Sequence, residues 1–373
     1  MASCDLAVVG AGIVGLAHAL AAARRGLRVA VFERDAAASM ASIRNFGFVT
    51  VSGQAEGLSR FRAIRSRDIW REVAAEAGIA VHQRGAMVVA RRPEALTVLA
   101  QFAASEMGDG CELLDAAAAR ARVPRLRADV AGALVSPHEL RVEARDALPA
   151  LARHLESRHG VAIHWNCPAI AVDANGLRHA GGHMEAAAVV VAPGAAVSTF
   201  DPALARRTQL RQCKLQMMRL AAPESSPRLP HVVMADLSLL RYEGFAAQPG
   251  AKALRDRIAA ECHRQLSLGV HLIVAQSADG SLVVGDSHRD VEAAEPFGET
   301  GVDEVILDEL RALFDIRSIH VVERWVGHYP VAEVRPVLRA SLGPRARLVC
   351  VTGGTGMSTA FALGEETVAE LFG

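Results

Sequence analysis

Lysine is almost missing from this chain of 373 residues: only Lys214 and Lys252 occur, and arginine carries nearly all the positive charge. So few amines leave little scope for a Schiff-base lysine and argue against pyridoxal phosphate chemistry. Net charge is missing too. Lys+Arg and Asp+Glu stand at 41 each, so no overall field recruits nucleic acid or an anionic membrane. The six cysteines (Cys4, Cys111, Cys167, Cys213, Cys262 and Cys350) contain no CxxC pair. Neither a zinc site nor a disulfide framework is suggested, which fits a reducing compartment. His179 and His183 have a spacing that could hold a metal, but no acid or cysteine joins them in their glycine-rich stretch. No metal is expected. No apolar run approaches the roughly 20 residues of a membrane span. The first strand-like run starts at residue 5, leaving no room for a signal peptide. The expectation is a soluble, cytoplasmic protein without internal repeats or low-complexity linkers.

What is present is a hydrophobic half (51% of residues), ample for a large core, and one organising stretch at the start. Leu6–Val9 reads as a buried parallel strand, followed by Gly10, Gly12 and Gly15, an alanine-rich helix, and a second strand ending in Glu33. Gly10 permits the tight turn, Gly12 lets a pyrophosphate approach the backbone, and Gly15 lets the helix pack on the sheet. The helix N-terminus offers free N–H groups and partial positive charge to phosphate. Glu33 can accept hydrogen bonds from ribose hydroxyls. The reading is a dinucleotide site.

Further along, Ala41–Thr50 mixes polar and apolar residues without a clean period and reads as a ligand-touching loop. Helices are expected over Ser59–Ala77, Pro93–Ala104, Leu113–Ala121, Ala144–Arg158 and Asp303–Phe314. Glu139–Arg145 is read as a lead-in to the fourth of these. Ala169–Asp173 with Asn175-Gly176 suggests a hairpin. Between 206 and 322, strand-like runs separated by polar turns suggest an antiparallel sheet. Ala186–Ala195 (AAAVVVAPGA) and Arg347–Met357 (RLVCVTGGTGM) are two more buried strands running into glycine turns.

Three such turns, at Gly10–Gly15, Pro193–Gly194 and Gly353–Gly356, resemble those of the flavin-dependent D-amino-acid oxidase superfamily, which includes glycine oxidase and sarcosine oxidase. The resemblance implies an α/β fold: a Rossmann-like FAD-binding domain (1–84, 138–205, 319–373) interleaved with an antiparallel-sheet α+β substrate domain (85–137, 206–318). It implies FAD held by Gly10, Gly12, Gly15, Glu33, Arg34, Ser42, Arg44, Asn45, Ala192, Gly194, Gly353, Gly354, Thr355, Gly356 and Met357. The helix after Gly356 would stabilise negative charge on the reduced flavin's pyrimidine edge. Some relatives attach their flavin through a cysteine near Trp325–Pro330. None stands there in this chain, so non-covalent FAD is expected.

Ala41–Gly47 (ASIRNFG), Arg241-Tyr242, Gly269-Val-His271, Ala275-Gln-Ser277 and Gly285-Asp-Ser-His288 resemble one branch of the superfamily, associated with aminophosphonate breakdown. The resemblance implies oxidation of a 2-aminoethylphosphonate-like amine, N-methylated or not, to an imine and then an aldehyde, with oxygen as acceptor and hydrogen peroxide as product. Glycine oxidase-like chains carry Trp-x-Gly-x-Arg-Pro, whose arginine clamps a substrate carboxylate. Here the stretch is Trp325-Val-Gly-His-Tyr-Pro330, with Tyr329 in that place. A bidentate clamp from position 329 is unavailable, which counts against a simple α-amino acid. Arg44, Asn45, Tyr242, His271, His288, His328 and Tyr329 are the expected substrate contacts. Arg241, Arg289 and Arg335 are further cations available to an anion, with Arg289 and Arg335 read as solvated or ion-paired surface residues rather than ligands. No dedicated acid–base residue is required if the site selects the neutral amine. The alternatives are an oxidase of glycine, sarcosine or D-amino acids, and a flavin dehydrogenase of a 2-hydroxy acid or phosphorylated polyol passing electrons to a quinone. A nicotinamide dehydrogenase and a non-catalytic dinucleotide sensor stand behind these.

Overall fold

A computed structural model describes residues 3–222, 228–316, 318–332 and 336–373. Two sheets organise them. The first runs Val337–Gly343, Ala346–Val351, Gly182–Val191, Ser3–Val9, Val29–Phe32, Ala162–His164. Its last five strands pair in parallel, while Val337–Gly343 and the hairpin Ala169–Asp173/Gly176–His179 add antiparallel edges. The strand residues of Leu6–Val9 and Val29–Phe32 are all buried, as a sheet covered on both faces requires.

Helix Ile13–Arg24 and the C-terminal helix Gly356–Phe372 cover one face of this sheet. They touch closely because Gly364 lacks a side chain: a Cβ there would lie 2.7 Å from the Ala17 carbonyl oxygen. Trp70, fully buried on helix Leu58–Ala77, packs edge-on against Phe361 and donates its indole N–H to the Met357 carbonyl at 2.8 Å. That bond ties the start of the C-terminal helix to a third helix.

The second sheet is built around Arg211–Leu220, which pairs along one edge with Val321–Val331 and along the other with Leu282–Gly285 and Arg289–Val291. It continues through Ile273–Gln276, Val232–Ala235, Val81–Ala90 and Gly132–Val142 to Phe48–Val49. The pairing is antiparallel except between Val232–Ala235 and Ala86–Val89, which run parallel. Val321–Val331 therefore pairs in the second sheet, whereas Val337 onward pairs in the first.

Two local expectations change. Within the helix expected at Leu113–Ala121, Glu112–Asp115 is a strand, paired with Gly132–Val135, and the helix spans Ala116–Arg122. Asp115 sets that boundary by accepting the Ala118 N–H at 2.7 Å, as an N-cap does. Glu139–Val142 is the end of an eleven-residue strand rather than a helix approach, because Leu140 and Arg141 pair with Val81–Arg84 and with Phe48–Val49. The other helices match to within a few residues, at Leu58–Ala77, Pro93–Ala103, Ala144–His159 and Thr300–Leu313. Among the described residues no helix is long and apolar enough to cross a membrane, and the six cysteines are free.

Candidate active site

The first strand ends at Val9 and the chain turns through Gly10, whose φ is +95°. A Cβ on Gly10 would meet the Ala192 carbonyl oxygen at 2.5 Å, and one on Gly15 would meet the Gly10 carbonyl oxygen at 1.8 Å. Only glycine fits either place. Helix Ile13–Arg24 starts with Gly12 as N-cap and no side-chain cap, and the Ile13 N–H donates to Ser42 Oγ at 3.0 Å. Glu33 lies against this turn: its carboxylate accepts the Ala11 N–H at 2.8 Å and the Asp35 N–H at 3.1 Å. Arg34 is exposed and paired with Asp35.

Helix Gly356–Phe372 also starts without a side-chain cap, after the turn Gly353-Gly354-Thr355. Both helix N-termini border one cavity of about 1270 Å³, open to solvent. Free N–H groups from two helices facing one space favour anionic charge in two places. A bound flavin dinucleotide would supply charge of both kinds, on its pyrophosphate and on the electron-rich edge of its reduced flavin. The residues fit FAD. Of the expected cofactor residues, Gly12, Gly15, Ser42, Arg44, Asn45, Ala192, Gly194 and Gly353–Met357 line this cavity. Gly10, Glu33 and Arg34 do not; the first two shape its turn. Cys350 also faces in, with its thiol donating to the Gly194 carbonyl and pushed up to about 12 by burial, so it is inert there.

The loop at 41–47 forms one wall. Gly47, at φ +67°, carries no Cβ because one would overlap the Val142 carbonyl. Asn45 closes the turn, donating to the Ala41 carbonyl at 2.8 Å and accepting the Gly47 N–H at 2.7 Å. Its amide is engaged within the loop even though the residue borders the cavity. Arg141, fully buried, braces the loop from behind by donating to the Phe46 carbonyl at 3.0 Å and to Glu143 at 2.9 Å. Arg44 reaches the Val326 carbonyl at 3.2 Å.

The opposite wall is polar. Arg241 donates to the Tyr329 hydroxyl at 2.7 Å. The guanidinium that position 329 lacks thus arrives from the end of the 3-10 helix Asp236–Leu240. His271 Nε2 lies 3.4 Å from Asp286 Oδ1, and His288 Nε2 lies 3.4 Å from Asp286 Oδ2. The two imidazoles stack, with centroids 4.8 Å apart and planes 14° from parallel. Burial pushes the Asp286 carboxyl up to about 7, against the pull of Arg241. Burial, then the Arg241 charge, hold both imidazoles well below their usual value, so they are neutral at pH 7. Burial also raises the Tyr242 and Tyr329 phenols. His328 is held low by burial and then by Arg44, and its Nε2 has no hydrogen-bond partner among the described residues.

A second cavity of about 1030 Å³ shares Arg241, Tyr242, His288, Tyr329, Gly353 and Thr355 with the first. These residues partition the two spaces. Arg289, by contrast, is exposed and ion-paired to Glu295 and Glu299, both at 2.8 Å, and lines neither cavity. Arg335 lies outside the described residues. The spatial grouping adds two side chains to the wall. Asp286 was visible in sequence only as part of Gly285-Asp-Ser-His288, and Arg241 only as one cation among several.

A parallel sheet with a glycine turn, two uncapped helix N-termini over one cavity and a second sheet as its far wall define a dinucleotide-binding redox protein. A family model described as FAD dependent oxidoreductase, the DAO family, matches residues 5–370, and the chain belongs to that family. Among solved structures it is similar to glycine oxidase from Geobacillus kaustophilus (22% identity, 100% of this chain and 95% of that one, TM-score 0.77). It is similar to L-proline dehydrogenase from P. horikoshii (17%, 100% and 94%, TM-score 0.79). Iminodiacetate oxidase from Chelativorans sp. BNC1 is a further neighbour (17%, 98% and 95%, TM-score 0.74). A search of the curated proteins finds no match.

Proposed function

We propose that this FAD-dependent oxidoreductase oxidises a small amine bearing an oxyanion, an aminophosphonate related to 2-aminoethylphosphonate with or without an N-methyl group. FAD, when bound, supplies a two-electron acceptor for the hydride of the carbon next to nitrogen. The chain's own residues hold and orient the amine. Release of the imine and its hydrolysis give an aldehyde, and oxygen takes the electrons to give hydrogen peroxide.

The observation that carries the reading is Arg241. Its guanidinium sits at the partition between the cavities, donates to Tyr329 and has no carboxylate within hydrogen-bond distance among the described residues. A fork of donors lining a cavity suits a tetrahedral oxyanion. Tyr242, His271, His288 and His328 line the same cavity as neutral polar groups, and Arg44 adds charge from the loop. Printed names of structural neighbours, glycine oxidase and iminodiacetate oxidase, support an amine as reductant. The shared motifs of 41–47 and 285–288 support the aminophosphonate branch.

The test is an anaerobic screen of the purified holoenzyme for loss of flavin colour. 2-Aminoethylphosphonate and its N-methyl form should bleach it. Glycine, sarcosine, D-alanine and glycerol phosphate are the competing arms, since Arg241 can also grip a carboxylate or phosphate ester. Bleaching by D-alanine with neither aminophosphonate active sinks the substrate assignment. Peroxide formation with oxygen as sole acceptor separates an oxidase from a quinone-linked dehydrogenase.

A further inference from the structure

Three side chains able to act as acceptors, Asp286, His271 and His288, converge on the cavity. His288 Nδ1 faces the Gly269 carbonyl at 3.3 Å, so it carries the ring proton and leaves Nε2 as a lone pair. His271 Nδ1 faces Ser238 Oγ at 3.2 Å. With that hydroxyl's hydrogen on the Leu272 carbonyl at 3.4 Å, it accepts from Nδ1 and this tautomer again leaves Nε2 as a lone pair. Both lone pairs point at the Asp286 carboxylate. Asp286 Oδ1 and His271 Nε2 have no hydrogen-bond partner among the described residues, and both side chains are more than nine-tenths buried. An arrangement of three acceptors is unfavourable unless a cation with several N–H or O–H donors enters it.

We propose that Asp286, His271 and His288 form the ammonium-binding subsite and that Asp286 is the catalytic base which removes one proton from the bound substrate. The inference rests on the amine reading given above. A primary ammonium has three N–H donors, one for each acceptor. The three acceptor atoms lie within 4.8 Å of one another, the span that an ammonium nitrogen at hydrogen-bond distance from each can bridge. A proton passes from R–CH2–NH3+ to the carboxylate, leaving R–CH2–NH2 and a carboxylic acid. The nitrogen lone pair so exposed is what allows hydride to leave the neighbouring carbon. Arg241, facing the same cluster, keeps the carboxylate ionisable despite its burial and holds the anionic end of the same molecule.

The groups that act on Asp286 electrostatically are Arg241, Tyr242, Cys213, Tyr329, His271 and His288. The phenols and thiol are pushed upward by burial and the imidazoles stay neutral, so Asp286 is the group of this cluster that titrates near neutrality. The sign follows. Below its pKa of about 7 the carboxyl is protonated and cannot accept; above it, binding and deprotonation of the ammonium are both available.

Two measurements test this. First, kcat/KM of the holoenzyme for the amine that reduces the flavin should rise with pH and break near 7. In Asp286→Asn that break should vanish, with the rise continuing toward the amine's own pKa, about 10, and the rate at neutral pH down about 100- to 1000-fold. A break common to both proteins belongs to the substrate. The same profile in the two proteins overturns the proposal.

Second, calorimetry in two buffers of unequal ionisation enthalpy, with 2-amino-2-methylpropanesulfonate as probe, reads the proton directly. This amine has no hydrogen on its nitrogen-bearing carbon and a permanently charged anion. Binding to the wild-type protein should release close to one proton at about pH 6 and none at about pH 8.5. No release at the lower pH overturns the proposal without any variant having to fold. So does stoichiometric zinc or iron in the purified protein, held by this cluster. If no amine bleaches the wild-type flavin, it is the functional reading that fails.

Discussion

The two walls of the cavity are made of different material. The cofactor wall is mostly backbone: Gly12, Gly15 and Gly353–Gly356 with two helix N-termini. The substrate wall is side chain: Arg241, Tyr242, His271, Asp286, His288 and Tyr329, brought from four separated stretches of the second sheet and its connections. Backbone sites tolerate almost any sequence that leaves the glycines alone. Side-chain sites depend on each group's charge and burial. The contrast separates what a substitution does to cofactor retention from what it does to amine recognition.

The largest expected effect is at the backbone wall. Gly15→Val places branched carbon where even one Cβ would lie 1.8 Å from the Gly10 carbonyl oxygen. The purified variant should be colourless, with flavin absorbance per chain near zero. A yellow, normally loaded Gly15→Val protein would break the comparison at its root. Next comes Arg241→Met, which removes a cation lining both cavities but touches no part of the turn. KM for an anionic amine should rise about 10- to 100-fold, in line with loss of a charge-assisted hydrogen bond. Flavin content should be unchanged, and an uncharged amine of the same length should be little affected. Equal losses for both amines would show that Arg241 shapes the wall instead of binding the anion.

The same contrast explains what the sequence made legible. The cofactor wall announces itself at fixed spacing, because each glycine answers a steric demand set a few residues away. Gly10, Gly12, Gly15, Gly194 and Gly353–Gly356 could be picked out for that reason. The substrate wall has no such spacing. His271 and Asp286 share a corner because Ile273–Gln276 pairs antiparallel with Leu282–Gly285, so residues just outside the two strands meet. That register is a tertiary fact. Asn45 shows the converse: an eye-catching polar residue in a ligand loop, whose amide closes its own turn. Strand Val321–Val331 was hidden for a related reason. Its alternate residues, Val322, Arg324 and others, stay partly or wholly exposed, so it lacks the continuous apolar run that marks Leu6–Val9.

A smaller effect tests how the two walls are joined. Trp70→Phe keeps most of the buried ring but loses the 2.8 Å bond to the Met357 carbonyl, one residue into the C-terminal helix. The expected cost is about 2 kcal/mol in urea unfolding of the holoprotein, from the lost hydrogen bond and the small void. Flavin absorbance per chain should hold at neutral pH. A variant as stable as the parent would mean that helix packing alone fixes the turn at Gly353–Gly356.

The smallest effect decides the role of Ser42. Its oxygen accepts the Ile13 N–H at 3.0 Å, at the place where the uncapped helix offers its donors to phosphate. Its hydroxyl hydrogen remains free to donate. If Ser42 extends the phosphate site, Ser42→Ala removes that donor and weakens FAD binding about fivefold, close to 1 kcal/mol. If Ser42 instead plugs the helix end and must be displaced, the same substitution frees the Ile13 N–H and FAD binds more tightly. The expected sign is weaker binding, read by titrating the apoprotein with FAD and following flavin fluorescence. Tighter binding would move Ser42 from the cofactor contacts to the structural caps, and the backbone wall would then consist of main chain alone at that point.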